Sequence, residues 1–309
     1  MRVLVSNIMM LNERDRFGAI LRARGLDVVW PSVTQFMGEE QCLGFAGQFD
    51  GWLAGDDRIS RRVMEAFLPR LMVISKWGTG LDSIDLKAAK ELNLPVCNSS
   101  GAFRDAVSEY AIGLLLAASR RIAATDRAVR AGGWPKGRFI GLTGKTMAVI
   151  GYGAIGQGVG ERARGLGMSV IAHDPYLSQS PDGTELVDLP ALKARADVVC
   201  LCCNLTSENY HLIDAVALAD MRDDVMIVNV ARGGLIDEDA LVAALSSGKV
   251  SAAALDVFEN EPLHQNHPLL GFDNVVVSSH NANSTIEAIE AVHANTLNNL
   301  FTHLEPARS

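Results

Sequence analysis

The sequence predicts an α/β protein built from two doubly wound parallel sheets. Three observations carry that reading. Short apolar runs alternate with segments of helical period along the 309 residues, a glycine-rich turn at Gly151 to Gly156 joins a strand pattern to a helix pattern, and an Ala- and Leu-rich helix separates two such series. Composition agrees, since 48% hydrophobic and 21% charged residues are ordinary for a globular chain, and the length suits about two domains of ~150 residues.

Taken in order, Arg2 to Val5 reads as a first strand; the run breaks at Ser6-Asn7, too early for the core of a secretory signal. Asp15 to Arg24 has helical period, Leu26 to Trp30 and Gly51 to Ala54 are strands, and Leu71 to Ile74, a helix near Leu86 to Leu92 and Pro95 to Asn98 continue the alternation. Asp105 to Ala123 reads as one helix, hydrophobic nearly all round, which predicts burial between two bodies. After the Gly132-Gly133-Trp134-Pro135 turn and the Gly141 to Gly144 loop, a second βαβ series runs from Thr146 to about Ser279. Ser284 to His303 is helical again and is expected to pack back on the first series. The expected division is a flavodoxin-like substrate-binding domain, residues 1–101 plus 284–309, and a Rossmann-like domain, residues 102–283, with a cleft between them.

Charge and cysteine usage exclude several roles. Lys plus Arg is 28 and Asp plus Glu 36, a net charge of −8, which opposes a long-range pull toward nucleic acid or an anionic membrane. Uncharged apolar stretches such as Ala111 to Ser119 fall far short of the ~20 residues of a membrane span. Five cysteines (Cys42, Cys97, Cys200, Cys202, Cys203) are an odd count without paired CxxC spacing; they read as buried thiols in a reducing cytoplasm, with no metal site expected.

The chemistry is expected in the second series. Thr146 to Ile150 is an apolar strand running into Gly151-Tyr152-Gly153-Ala154-Ile155-Gly156 and then a helix. In that setting Gly151 permits the tight turn, Gly153 admits a pyrophosphate to the backbone, and Gly156 lets helix and strand pack closely, while free helix amides hold the diphosphate. A second strand, Met168 to Ala172, leads to Asp174, 23 residues after the first glycine, where a carboxylate bonds ribose hydroxyls and repels a 2′-phosphate. NAD rather than NADP is the predicted cofactor. Further strand ends supply Arg232, Glu261 and His280. Oxidising an alcohol with NAD requires a base for the hydroxyl proton and a cation for substrate oxygens. His280 suits the first task, Glu261 would orient its imidazole, and Arg232 would clamp a carboxylate. His173, His264 and His267 lack such company and read as turn and loop residues.

On these motifs, together with Lys76-Trp77-Gly78-Thr79-Gly80-Leu81-Asp82-Ser83-Ile84-Asp85, Ala231-Arg232-Gly233-Gly234-Leu235-Ile236-Asp237-Glu238 and Ala254-Leu255-Asp256-Val257-Phe258, the sequence resembles the D-2-hydroxyacid dehydrogenase family from about Gly51 to Glu287, and within it the D-3-phosphoglycerate dehydrogenases most closely. The resemblance implies a catalytic triad of Arg232, Glu261 and His280. It implies cofactor contacts from Thr79, Gly151, Gly153, Ala154, Ile155, Gly156, Asp174, Cys203, Val230, Ala231, Asn283 and Asp256, the last near the nicotinamide amide. Lys76, Gly78, Thr79, Gly80 and Arg232 would hold the substrate, and a homodimer would form through the segment around Trp134 to Arg138. The implied reaction is interconversion of a D-2-hydroxy acid and its 2-oxo acid; hydroxypyruvate or glyoxylate reduction is the alternative, and an NAD(H)-sensing protein without turnover is the alternative of another class. The chain departs from the pattern with Cys202-Cys203-Asn204 after one strand, Asn281-Ala282 after His280, and Ala54-Gly55-Asp56-Asp57-Arg58 where phosphoglycerate dehydrogenases commonly carry an Arg straight after the strand, so that the expected anion contact is missing or shifted. Lys76, Arg104, Lys136 and Arg138 are the candidates for a phosphate contact instead. The end of the chain at Ser309 predicts no added regulatory domain and no feedback control by serine.

Overall fold

Residues 1–304 are described here, from a computed structural model. Residues 305–309, the tail of the expected substrate-binding domain, lie outside the described residues. The chain divides into two units, one formed by Met1–Phe103 with the C-terminal segment from Thr285, the other by Arg104–Ser284.

The first unit begins β1 (Arg2–Val5), α1 (Ile8–Leu11), α2 (Arg14–Ala23), β2 (Asp27–Val29), α3 (Glu39–Leu43) and β3 (Gly51–Ala54). It continues through α4 (Arg61–Phe67), β4 (Val73–Lys76), α5 (Leu86–Glu91) and β5 (Val96–Cys97). The strands make one parallel sheet in the order β2-β1-β3-β4-β5, the doubly wound order whose switch point lies between β1 and β3. Being covered on both faces, β3 and β4 are buried along their whole length rather than alternating, and β4 carries Ser75 and Lys76 at its end. One face buries Met37, Phe49, Trp52, Phe67 and Ile74. On the other, Val3, Val5, Phe17 and Leu53 pack with Leu297 and Leu300 of the C-terminal helix Ile286–Leu304. That helix lies close on β3: a Cβ on Gly51 would come within 2.5 Å of Leu300 Cδ1.

The second unit opens with α6 (Arg104–Ser119) and α7 (Ile122–Arg130), followed by β6 (Thr146–Ile150), α8 (Ala154–Gly165), β7 (Ser169–His173), β8 (Glu185–Leu186), α9 (Leu189–Arg195) and β9 (Val198–Leu201). Then come α10 (Ala215–Asp220), β10 (Val225–Asn229), α11 (Glu238–Ser247), β11 (Val250–Leu255) and β12 (Val275–Val277). Its seven strands are all parallel in the order β12-β11-β10-β9-β6-β7-β8, so the switch point falls between β6 and β9. Helix α6 packs so tightly on α8 that a Cβ on Gly158 would sit 2.7 Å from Ser108 Oγ.

The single helix expected from Asp105 to Ala123 is instead two. The backbone turns left-handed at Arg121, φ 49°, and α7 restarts there with no buried residue of its own. Neither Gly nor Pro punctuates Ser119-Arg120-Arg121, so the helical period runs through the break unmarked.

Candidate active site

The glycine turn forms for steric reasons that can be read atom by atom. Gly151 has φ +89°, and a Cβ there would lie 2.5 Å from the main chain of Cys203; a Cβ on Gly156 would lie 2.1 Å from the Gly151 carbonyl oxygen. At Gly153, the N-cap of α8, a Cβ would meet nothing, and no side chain caps the first amides of the helix. Open space over uncapped N–H groups is what a diphosphate needs, so Gly153, Ala154 and Ile155 fit the cofactor assigned to them. The main chain of Cys203 borders the turn; Cys203 lies past the end of β9, and burial pushes its thiol up to about 11.

Asp174 follows β7. Its Oδ2 accepts the Tyr152 N–H at 2.9 Å and its Oδ1 the Tyr176 N–H at 3.0 Å, which fixes the carboxylate beside the glycine turn. Tyr152 is fully buried, and its hydroxyl reaches Asp182 Oδ2 at 2.9 Å and Thr184 Oγ1 at 2.7 Å. One residue thus ties both ends of the segment from 174 to 184 to the turn.

The polar residues that follow β10, β11 and β12 converge in the second unit. Asn229, buried at the end of β10, donates through Nδ2 to the Arg232 carbonyl at 2.9 Å and accepts the Ala231 N–H at 3.0 Å. This clamp shapes the Val230-Ala231-Arg232 corner, where Arg232 Nη1 donates to the Ala231 carbonyl at 2.8 Å. After β12, His280 adopts a left-handed backbone, φ 55°, rare for a residue with a Cβ. Asp256 holds it there: its carbonyl accepts the His280 N–H at 2.8 Å and its carboxylate oxygens accept Asn281 N–H and Ala282 N–H, both at 2.9 Å. Asp256, assigned from the resemblance to the cofactor amide, is 1% exposed with both oxygens engaged by this loop; its observed work is on the backbone of His280. Asn283 lies two residues beyond Asn281 in the same loop, partly buried.

His280 Nδ1 stands 2.8 Å from Glu261 Oε2, while Glu261 Oε1 accepts the Phe258 N–H at 3.0 Å. The hydrogen bond that the His280 ring donates to Glu261 raises the His280 pKa above the ordinary value against burial and the Arg232 charge, both of which lower it. For Glu261, burial raises the pKa, but the His280 and Phe258 hydrogen bonds outweigh it and hold the carboxyl below its usual range. Arg232 and Glu261, 48 and 19 residues before His280 in sequence, form with it one electrostatically connected group.

In the first unit, the segment after β4 carries the other candidates. Gly78 has φ +102° and its carbonyl accepts the Ser99 N–H at 2.8 Å; the Thr79 carbonyl accepts Asn98 Nδ2 at 2.7 Å. Gly80 continues this loop, partly buried. Lys76 is 4% exposed, its Nζ bonded to Asp56 Oδ1 and to the Trp77 carbonyl, each at 2.8 Å. Arg104 pairs with Asp105 and Glu161, and Lys136 and Arg138 are exposed. His267, read as a loop residue, faces Glu238 at 3.1 Å. Among the described residues no group of three or more His, Cys, Asp or Glu side chains is arranged to hold a metal.

The family model described as "D-isomer specific 2-hydroxyacid dehydrogenase, NAD binding domain" matches residues 112–282, more than half of the chain. The chain belongs to that family. Similar family proteins include the hydroxypyruvate reductase of Thermotoga maritima, 43% identical over 76% of this chain and 78% of the relative. The D-3-phosphoglycerate dehydrogenase of Archaeoglobus fulgidus is 39% identical over 87% of this chain and 51% of the relative. The chain thus spans about half the length of the phosphoglycerate dehydrogenases it matches. Among solved structures, a glyoxylate reductase from Paecilomyes thermophila superposes with TM-score 0.89 at 31% identity, covering 99% of this chain and 95% of the other.

Proposed function

We propose that this family member is an NAD-dependent D-2-hydroxyacid dehydrogenase that interconverts a D-2-hydroxy acid and its 2-oxo acid, with Arg232, Glu261 and His280 as its catalytic residues. The observation that carries the reading is the 2.8 Å pair between His280 Nδ1 and Glu261 Oε2. Because a carboxylate only accepts, neutral His280 keeps its proton on Nδ1 and presents the Nε2 lone pair to the substrate hydroxyl. Bound NAD supplies the hydride acceptor for the alcohol carbon. His280 Nε2 takes the hydroxyl proton during oxidation and returns it during reduction, and Glu261 stabilises the imidazolium between those events. Arg232 holds the substrate carboxylate and the oxygen on the reacting carbon.

Lys76 and the Gly78-Thr79-Gly80 loop are proposed as substrate contacts, Thr79 also touching the cofactor. Asp174 is proposed to accept the ribose hydroxyls, Cys203, Val230, Ala231 and Asn283 to border the cofactor, and the first unit to bind substrate while the second binds NAD. The phosphoglycerate dehydrogenase relatives support D-3-phosphoglycerate as the acid. A specific observation favours the second reading, hydroxypyruvate or glyoxylate reduction: Lys76 is buried and already paired with Asp56, so that edge of the first unit is a poor host for a phosphoryl dianion. No helix among the described residues is long and apolar enough to cross a membrane. A cytoplasmic homodimer joined through α7 and the exposed segment with Trp134, 80% exposed, completes the proposal, and analytical ultracentrifugation tests the dimer.

The deciding experiment is NADH oxidation followed by absorbance against 3-phosphohydroxypyruvate, hydroxypyruvate and glyoxylate. Turnover lost in His280→Ala, with NADH affinity kept, is the expected result. Tight NADH binding with no turnover of any 2-oxo acid overturns the enzyme reading and leaves an NAD(H)-sensing protein.

A further inference from the structure

A second cluster of titratable side chains, none of them in the proposed triad, lies entirely within the second unit. Glu238 opens α11, and its main-chain N–H, one of the helix amides with no intrahelical partner, donates to Glu259 Oε1 at 3.1 Å. In return, Glu238 Oε1 accepts the Glu259 N–H at 2.8 Å. The two residues, 21 apart in sequence, cap each other reciprocally as a capping box does within one helix turn. Three further side chains complete the cluster: His267 Nε2 is 3.1 Å from Glu238 Oε2, His211 Nε2 is 3.2 Å from Glu259 Oε1, and the Tyr210 hydroxyl donates to Glu259 Oε2 at 3.3 Å.

The placement of this bracket gives it a role. Glu238 follows the turn that carries Arg232, and Glu259 lies two residues before Glu261. Between them the backbones touch: a Cβ on Gly233 would fall 1.8 Å from the Phe258 carbonyl carbon. The His211 N–H also bonds the Gly234 carbonyl at 2.8 Å, so the third segment braces the same turn. Burial raises the Glu238 carboxyl above its usual range, and its side chain is only 12% exposed; an acid is retained there despite the desolvation that burial imposes.

We infer that Glu238 and Glu259 are positioning residues that fix the spacing between the Arg232 turn and the Glu261 loop, with His267 and His211 as their counter-groups. Neither reaches the reacting atoms; both act through Arg232, Glu261 and, at one remove, the orientation of the His280 ring. This inference rests on the catalytic reading above.

The test compares Glu259→Ala, Glu259→Gln and Glu238→Ala in the full chain. A misplacement of about 1 Å at a catalytic group lowers turnover on the order of a hundredfold, so Glu259→Ala and Glu238→Ala are expected to lose ten- to a hundredfold in kcat with NADH affinity within twofold. Glu259→Gln keeps the acceptor for the Glu238 N–H and is expected to restore kcat to within about threefold. An NMR titration of the His280 ring supplies a readout independent of turnover: its midpoint falls in both Ala variants, because Glu261 no longer lies against it, and holds in Glu259→Gln. If the wild-type protein turns over no 2-oxo acid, the catalytic reading fails while the titration still decides the bracket. Ala variants that fold, with both kcat and the His280 midpoint unchanged, overturn the inference, as does a Gln variant as damaged as Ala.

Discussion

Substituting Gly233 by Ala adds one methyl group at the tightest backbone contact of the second unit. The new Cβ would stand 1.8 Å from the Phe258 carbonyl carbon, 2.0 Å from its oxygen and 2.3 Å from Glu259 N. Carbon atoms in contact sit about 3.5–4.0 Å apart, so one of the two loops must retreat by roughly 1.7 Å. No rotamer change relieves the clash, because every atom met is backbone. Overpacking of this kind costs about 1–3 kcal/mol, a fall in melting temperature of roughly 2–12 °C for a unit of this size. The retreat also moves Arg232 against Glu261, for which we expect turnover to drop on the order of a hundredfold. Thermal unfolding and NADH oxidation measure the two effects. Gly113→Ala serves as control: Gly113 lies inside α6 with no atom within 4 Å of its would-be Cβ, and it should stabilise by about 0.5–1 kcal/mol. A Gly233→Ala protein that melts with the wild type and turns over normally refutes the assigned contact between the two loops.

The remaining predictions concern charge. Oxidation needs neutral His280 and rises as pH climbs through its raised pKa, whereas reduction needs the imidazolium and declines over the same window; Glu261→Gln removes the main cause of the raised value, so pH–rate profiles of both directions should move to lower pH. Profiles that stay in place would argue against the pair. Asp174→Ala removes the acceptor of the Tyr152 and Tyr176 amides and should weaken NADH while narrowing the gap to NADPH, as fluorescence titration would reveal; an unchanged NADH-to-NADPH ratio contradicts the assignment. For Asp182, burial alone would raise the pKa, but hydrogen bonds from Thr184 and Tyr152 bring it from 3.8 down to about 2. A depressed carboxylate stabilises the fold above the unfolded value and loses that contribution as pH falls toward 2. With about a third of the side chain exposed, the contribution is about 1–2 kcal/mol, and Asp182→Asn should flatten acid unfolding between pH 4 and 2.

Much of this architecture is legible in the sequence because periodicity and glycine placement are local signals. Arg2–Val5, Gly51–Ala54 and Thr146–Ile150 are apolar runs whose ends coincide with observed strands, and Gly151 and Gly156 stand where a Cβ would clash, with Gly153 in open space between them. Arg232, Glu261 and His280 are legible as polar residues ending apolar strands. What escapes is long-range hydrogen bonding. Nothing in the run Leu255-Asp256-Val257 announces that the Asp256 carboxylate closes on amides 25 and 26 residues later. The Glu238 and Glu259 exchange likewise joins two loops that no period connects, and the pairing of Lys76 with Asp56 depends on two neighbouring strands lying side by side. The α6 to α7 break escapes for the opposite reason: a left-handed Arg carries no compositional mark.

The left-handed backbone at His280 limits how this position can change over evolution. Gly occupies such a conformation readily and, to a lesser degree, so do Asn, Asp and His itself, so most single-residue replacements must rebuild the loop as well as discard the ring. Asn is consequently the cleaner chemical probe than Ala, since it deletes the imidazole while tolerating the same dihedral angles. Lineages that abandoned the reaction yet preserved this loop should therefore carry Asn or Gly at 280 more often than any other residue.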